Sequence, residues 1–108
     1  MSPRIPHAIS VRSKQLPGYR AIARDISSGG IRIEMTGMVP EGEKLDITLD
    51  LDLINATVTT TSQVIWIREV ARKAKYEAGL RFISLTTEAQ TYLSNYINIV
   101  KVSLDKFL

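Results

Sequence analysis

The residues whose types and spacing could bind a ligand form one short segment, Arg24-Asp25-Ile26-Ser27-Ser28-Gly29-Gly30. A carboxylate accepts hydrogen bonds, a serine hydroxyl both donates and accepts them, and two glycines let a ligand approach the backbone closely. Because Asp25 and Ser27 are two residues apart, both side chains point to the same side of an extended chain. The segment therefore predicts a non-covalent binding site.

Spacing alone favours a simpler interpretation of the same segment. Asp and Ser side chains commonly accept hydrogen bonds from backbone amides within a turn. Under this interpretation, Asp25 and Ser27 stabilise only the local chain reversal. Both alternatives place the segment between the end of one strand and the start of the next.

The composition excludes several kinds of catalytic and metal site. The chain has no Cys, so it has no thiol nucleophile, no disulfide and no Cys-based metal site. His7 is the only histidine, so a two-His metal site cannot form within one chain. No nucleophile–base pair, metal-ligand set or phosphate-cradling loop of known spacing is present. We expect a binding protein and not an enzyme, with no catalytic residue, metal or cofactor.

Length and charge narrow the class of protein further. A chain of 108 residues with 44% hydrophobic residues predicts one folded domain over residues 1–108. A net charge of +3 indicates either good solubility or a small anion held by a few arginines, and it is too small to favour DNA. No segment approaches the roughly 20 apolar residues of a membrane span, and the start lacks a signal-peptide core. We expect a cytoplasmic protein, or a cytoplasmic domain of a larger one, that does not insert into membranes.

Alternation of apolar and polar residues predicts the strands that must position the motif. In residues 44–53 every odd position is apolar and every even position is polar, which separates a core face from a solvent face. Residues 5–11 and 30–35 show the same pattern. Residues 57–70 are dense in Thr, Val, Ile and Trp and predict a long strand that bends or carries a bulge near Thr61-Ser62. Residues 76–84 are predicted to form the last strand. Short strands with brief connections predict a small antiparallel six-stranded β-barrel over about residues 4–84.

The pattern changes to helical spacing after Ser84. Thr86 is a suitable N-cap, and Glu88 lies in the first turn, where the helix dipole favours a carboxylate. Apolar residues at three- and four-residue spacing then predict an amphipathic helix over about residues 86–107 that covers the barrel. The predicted fold class is therefore all-β dominated, with one C-terminal helix. The apolar residues after Ile97 predict either packing across the open end of the barrel or contact with a partner, including a homodimer.

The motif Asp25-x-Ser27-x-x-Gly30 resembles the second motif of PilZ domains, which are bacterial receptors for the dinucleotide second messenger cyclic di-GMP. The resemblance extends from Arg4 to about Ile97. Residues 4–11 resemble the family's first strand, residues 64–68 its aromatic strand, residues 79–83 its last strand and residues 85–97 its closing helix. The resemblance implies the same barrel and helix, with cyclic di-GMP as the ligand and no cofactor.

The resemblance also implies which residues bind the ligand. The family has an Arg-x-x-x-Arg motif before its first strand; Arg4 matches the second arginine, and the first would fall one residue before Met1. The implied ligand-binding residues are Arg4, Asp25, Ser27 and Gly30, with Ser28, Gly29 and Trp66 as a second tier. Guanine O6 and N7 accept an arginine fork, and the N1–H and N2–H₂ edge suits a carboxylate.

Two further arginines have the same spacing but a different setting. Arg20 and Arg24 also read Arg-x-x-x-Arg, on the strand that leads into Asp25. The family's arginines belong to a separate flexible segment, so we expect these two to be solvated. We expect Trp66 to be a core or barrel-wall residue first and a stacking surface for guanine second.

Three functional hypotheses follow from the sequence. In the first, ligand binding reorganises an N-terminal segment and changes a contact with an unknown protein partner. In the second, the domain keeps the barrel but no longer binds cyclic di-GMP, because the first arginine is absent. The third, a barrel for single-stranded nucleic acid, would need a basic groove with several exposed aromatics, and only 6% of the residues are aromatic.

Overall fold

Six antiparallel strands close into a barrel in the computed structural model, which describes residues 5–70 and 74–105. The strands are β1 (Ile5–Arg12), β2 (Arg20–Ile26), β3 (Gly30–Met35), β4 (Lys44–Leu51), β5 (Ala56–Val70) and β6 (Lys75–Ser84). Their order around the barrel is β1-β2-β3-β6-β5-β4, and β4 pairs with β1 to close it. The predicted fold class is confirmed.

Strand alternation fills the barrel interior as the sequence predicts. The apolar side chains of β4 are all completely buried: Leu45, Ile47, Leu49 and Leu51. The predicted strand over residues 44–53 is two residues too long, because the chain makes a 3-10 turn at Asp52–Ile54. Asn55 follows in the left-handed region with φ 51°, which Asn tolerates better than most residues, and turns the chain into β5. Leu53 is consequently 49% exposed.

β5 pairs with β4 through residues 56–63 and with β6 through residues 61–70, and its register against β6 shifts twice. One shift lies between Thr61 and Ser62, where the sequence predicts a bend or a bulge. A second shift lies between Val64 and Trp66, where the sequence contains no turn signal. β5 and β6 form a hairpin with Val70 opposite Lys75, and residues 71–73 between them lie outside the described residues.

The helix α1 (Thr87–Asp105) begins at the predicted cap. The backbone N–H of Ala89 donates to Thr86 Oγ1 at 3.0 Å, and Glu88 lies in the first turn. One face of α1 is buried in the same core as the strands, through Ala89, Leu93, Tyr96 and Val100. Lys106 and Phe107, the last residues of the predicted helix, lie outside the described residues, as does Leu108.

Within the described residues, no helix is long and apolar enough to cross a membrane.

Candidate ligand-binding site

The motif forms the tight connection between β2 and β3. Asp25 is the next-to-last residue of β2, and Gly30 is the first residue of β3. The backbone N–H of Ser27 donates to the Gly30 carbonyl at 2.9 Å and closes the turn. The sequence therefore placed the motif correctly, at the end of one strand and the start of the next.

Ser27 stabilises this turn from within. It is 6% exposed, its Oγ accepts a hydrogen bond from the Gly29 N–H at 3.3 Å, and it donates to the Gly30 carbonyl at 3.4 Å. Because Ser27 lies beyond the end of β2, strand alternation no longer sets its direction. These are the local hydrogen bonds that the turn interpretation predicts for Ser27. Ser28 and Gly29 are exposed at the tip, and the Gly29 carbonyl accepts a hydrogen bond from the Phe82 N–H at 2.9 Å.

Gly30 is explained by close packing between two strands. A Cβ atom at this position would overlap the carbonyl oxygen of Leu80 and lie 3.2 Å from its carbonyl carbon. Gly29 has no such neighbour. Neither residue has a positive φ; among the described glycines, only Gly18 and Gly42 do. The side of Gly30 where a side chain would stand is therefore occupied by β6 and not by open space.

Asp25 makes an ion pair across the sheet. Arg32 lies directly opposite it on β3, and Arg32 Nε donates to Asp25 Oδ2 at 2.8 Å. The Asp25 side chain is 13% exposed. The hydrogen bond with Asp25 is the largest cause of the raised pKa of Arg32. The sequence analysis missed Arg32, although the alternation of β3 already placed it on the outer face.

A second carboxylate, Glu77, holds two arginines on the outer wall. Arg32 Nη1 donates to Glu77 Oε2, while Arg68 donates to Glu77 Oε1 through Nε at 2.9 Å and Nη2 at 2.6 Å. The Glu77 side chain is only 7% exposed. The Arg68 hydrogen bonds, followed by that of Arg32, lower the pKa of Glu77 below its usual range. Asp25, Arg32, Glu77 and Arg68 therefore form one network with two positive and two negative charges.

Trp66 lies on the outer wall of the barrel and is half-buried. Its neighbour across the sheet is Gly79, where an added Cβ atom would lie 2.6 Å from Trp66 Cε2. Ala78 and Leu80 face the core, so the indole covers Gly79 from outside. The guanidinium carbon of Arg68 is 5.7 Å from the ring centroid, within cation–π distance. Of the two structural positions that the sequence left open for Trp66, core or barrel wall, the structure shows the barrel wall.

One lateral row of paired residues crosses five adjacent strands. Pro6 of β1 is opposite Asp25, Asp25 is opposite Arg32, Arg32 is opposite Gly79, and Gly79 is opposite Trp66. We call these five residues the outer row. Three strand spacings separate the backbones of Asp25 and Trp66, about 14 Å in total. The fold thus brings a first-tier and a second-tier candidate onto one surface.

Three further arginines that the sequence singled out are Arg4, Arg20 and Arg24. Arg4 precedes β1 in the chain and lies outside the described residues. Arg20 and Arg24 are exposed, and Arg24 Nη2 makes an ion pair with Glu34 Oε2 at 3.1 Å, as expected for surface residues of a strand. Residues 5–70 and 74–105 contain no group of three acidic or histidine side chains that could hold a metal ion.

Two surface grooves lie away from the motif. One is lined by the end of β1 and the loop after it, including Arg12 and Tyr19, and the other by β1, β2 and β3 around Ile22. Neither is lined by Asp25, Ser27 or Gly30. A smaller cavity is lined by Ser28 of the motif turn together with Leu85, Gln90, Leu93 and Ser94.

Comparison with known proteins gives a family and a set of similar folds. The sequence model of the PilZ domain family matches residues 1–98 of the chain. The K. pneumonia MrkH–c-di-GMP complex superposes with a TM-score of 0.84 at 15% identity, covering 99% of this chain and 54% of that chain. YcgR in complex with c-di-GMP from Escherichia coli superposes with a TM-score of 0.79 at 18% identity, covering 97% of this chain and 47% of that chain. The Bacillus subtilis inhibitor of motility MotI/DgrA superposes with a TM-score of 0.81 at 19% identity, covering 95% of this chain and 51% of that chain.

The chain spans about half the length of these three structures. At these identities the superpositions establish a shared fold. No curated protein sequence matches the chain.

Proposed function

The chain belongs to the PilZ domain family, and from this we propose that it is a bacterial receptor domain for cyclic di-GMP. The proposal is supported by the motif Asp25-x-Ser27-x-x-Gly30 and by two similar folds, MrkH and YcgR, whose structures contain that ligand. The activity proposed is binding, without catalysis.

The observation that carries the proposal is the position of Asp25. Its carboxylate is held on the outer wall by Arg32, opposite Pro6 at the start of β1. Arg4 comes two residues before Pro6 in the chain. A carboxylate pairs with the N1–H and N2–H₂ edge of guanine, and a guanidinium pairs with its O6 and N7 atoms or with a phosphate. Each charge-assisted contact contributes about 1.5–3 kcal/mol, so losing one lowers affinity by roughly tenfold to a hundredfold.

Ligand binding would act through the segment before β1. When Arg4 joins the ligand, the chain leading into Ile5 becomes fixed against the turn after β2. A surface containing that segment then differs between the free and the bound receptor, which a protein partner can recognise. This step turns binding into a signal.

A second candidate function is an interaction domain that uses the same barrel without the ligand. It is favoured by the ion pair between Asp25 and Arg32, because that carboxylate already has a cationic partner. Under this candidate the network on the outer wall is purely structural. The two functions differ in whether cyclic di-GMP binds at all.

Titration calorimetry with cyclic di-GMP tests the proposal. We expect the chain to bind, and Asp25→Ala to lower affinity by roughly tenfold to a hundredfold while the fold is kept. The matched control is Asp50→Ala, which also removes an aspartate that is paired with an arginine. Asp50 Oδ1 lies 2.9 Å from Arg12 Nη2, and this ion pair is not part of the outer row. No heat at high micromolar ligand with folded protein would reject the receptor and leave the interaction domain.

Adding one arginine directly before Met1 tests whether that position contacts the ligand. The addition gives an Arg-x-x-x-Arg spacing with Arg4. We expect the extended chain to bind cyclic di-GMP at least about tenfold more tightly, because a second guanidinium adds one charge-assisted contact. Equal affinities would show that this position does not meet the ligand.

A further inference from the structure

The outer row contains a cation that no motif predicts. Arg32 stands between Asp25 on one side and Gly79 and Trp66 on the other. Because the row is lateral and continuous, a ligand that contacts both Asp25 and Trp66 must cross Arg32. Gly79 has no side chain, and the indole of Trp66 occupies the space outside it.

The guanidinium of Arg32 is fixed in orientation but retains donor capacity. Nε is bound to Asp25 and Nη1 to Glu77, so two carboxylates define the plane of the group. Within the described part of the chain, Nη2 has no hydrogen-bond partner, and the side chain is 32% exposed. A guanidinium has five N–H donors in that one plane, so the donors of Nη2 remain after both ion pairs are made.

We propose that Arg32 contacts the ligand and selects guanine, and that Glu77 is the positioning residue that holds Arg32 in place. This inference rests on the proposed function and adds a residue to its site. Two carboxylates already neutralise the charge of Arg32, so its contribution is directional hydrogen bonding and not general attraction of phosphates. Guanine O6 and N7 are paired acceptors that fit such an edge, whereas adenine presents an amino group in place of O6.

Glu77 is suited to positioning because it is itself fixed. Its side chain is 7% exposed, and Arg68 binds it with two hydrogen bonds from the opposite side. The same Arg68 lies over Trp66. Glu77 therefore positions two guanidinium groups, that of Arg32 beside Asp25 and that of Arg68 beside Trp66.

The test compares affinities for cyclic di-GMP and cyclic di-AMP in the same chain. The binding signal is the fluorescence of Trp66, which is the only tryptophan of the sequence. We expect Arg32→Gln to weaken cyclic di-GMP binding by about tenfold or more, and to reduce the preference over cyclic di-AMP by a similar factor. We expect Arg32→Lys not to restore the preference, because an ammonium group cannot span two carboxylates and still present a planar edge.

The matched control is Arg24→Gln. Arg24 is also an arginine of the β2–β3 surface, and it is paired with Glu34 next to the outer row. We expect its affinities for both ligands to equal those of the unchanged chain. Glu77→Gln should reduce the preference in the same direction as Arg32→Gln, which a general loss of stability would not do. Thermal melting without ligand establishes that each variant is folded, and Arg32→Lys carries the test if Arg32→Gln does not fold.

The outcomes separate this inference from the proposed function. If the unchanged chain binds neither ligand, the proposed function fails, and the inference fails with it. If the unchanged chain binds cyclic di-GMP while Arg32→Gln keeps the same affinity and preference, only the inference is overturned. An equal loss of affinity for both ligands in Arg32→Gln also overturns it, because Arg32 would then act by holding Asp25 and not by selecting guanine.

Discussion

At the scale of single residues, two adjacent glycines of the motif turn have opposite surroundings. A side chain at Gly30 would meet the backbone of Leu80, whereas the space around Gly29 is open. We expect Gly30→Val to destabilise the fold by about 3 kcal/mol or more, since the strand backbone cannot move aside without breaking the β3–β6 ladder. Gly29→Ala is the control and should change stability by less than about 1 kcal/mol. Urea unfolding of both variants measures this, and equal stabilities would contradict the packing explanation.

Glu77 gives the outer wall a pH-dependent contribution to stability. Hydrogen bonds from Arg68 and Arg32 lower its pKa in the folded protein below its ordinary value of 4.5. A carboxylate of this kind stabilises the fold above its ordinary pKa, and the contribution is lost as pH falls through the lowered value.

We therefore expect Glu77→Gln to be less stable than the unchanged chain at pH 7, by about 1–3 kcal/mol. The difference should shrink as the pH falls below 4.5, because the protonated carboxyl then resembles the amide. Chemical unfolding at a series of pH values measures the difference. A difference that stays constant down to pH 2 would show that the charge of Glu77 does not stabilise the fold.

At the scale of elements, α1 continues to pack on the barrel after the family-like part of the helix is complete. Val100 is 2% exposed and belongs to the core, whereas Ile99, Val102 and Leu104 remain 37–55% exposed. The first turn after Ile97 therefore covers the barrel, which is one of the two expected roles of this segment. The exposed apolar residues leave the other role, contact with a second copy or a partner, as a proposal.

Shortened chains separate the two roles of the helix end. A chain ending at Ile97 should lose about 2 kcal/mol of stability, since it no longer buries Val100. A chain ending at Lys101 keeps Val100 and should recover most of that loss. Analytical ultracentrifugation of the same chains tests self-association. A monomer in every case would remove the homodimer, and unchanged stability at Ile97 would contradict the packing role.

At the scale of the whole molecule, the barrel has one short seam. β1 and β4 are in register over only two pairs, Val11 with Leu49 and Arg12 with Thr48, while β4 pairs with β5 along its entire length. The Arg12–Asp50 ion pair, at 2.9 Å, lies beside this seam. A short ladder has few hydrogen bonds to break, so local opening there requires less free energy than opening elsewhere in the barrel.

We expect amide hydrogens of β1 to exchange faster than those of β4 and β5 in the free protein. Saturating cyclic di-GMP should slow exchange in β1 and in the β2–β3 turn, because the proposed ligand joins the segment before β1 to that turn. Amides of the β4–β5 ladder serve as the internal control and should change least. Uniform slowing of all strands would indicate global stabilisation only, without a change centred on β1.

The sequence by itself determined most of the secondary structure and the place of the motif. Alternation identified β1, β3 and β4 and the core face of each, since a period of two separates the two sides of a strand without reference to any neighbour. The hydroxyl of Thr86 and the acidic residue after it located the helix start, because a cap depends on residues within one turn. The Asp25-x-Ser27-x-x-Gly30 spacing located the β2–β3 turn for the same local reason.

Only the tertiary structure decided which residues share a surface. Arg32 and Glu77 are 45 positions apart in the sequence, and the outer row depends on the registers of four strand pairs. Alternation tells which side of a strand a residue occupies but not which residue lies beside it, because register is fixed when the barrel closes. The packing roles of Gly30 and Gly79 could not be predicted for the same reason. Gly30 is needed because the backbone of Leu80 on β6 lies against it, and Gly79 because the indole of Trp66 does.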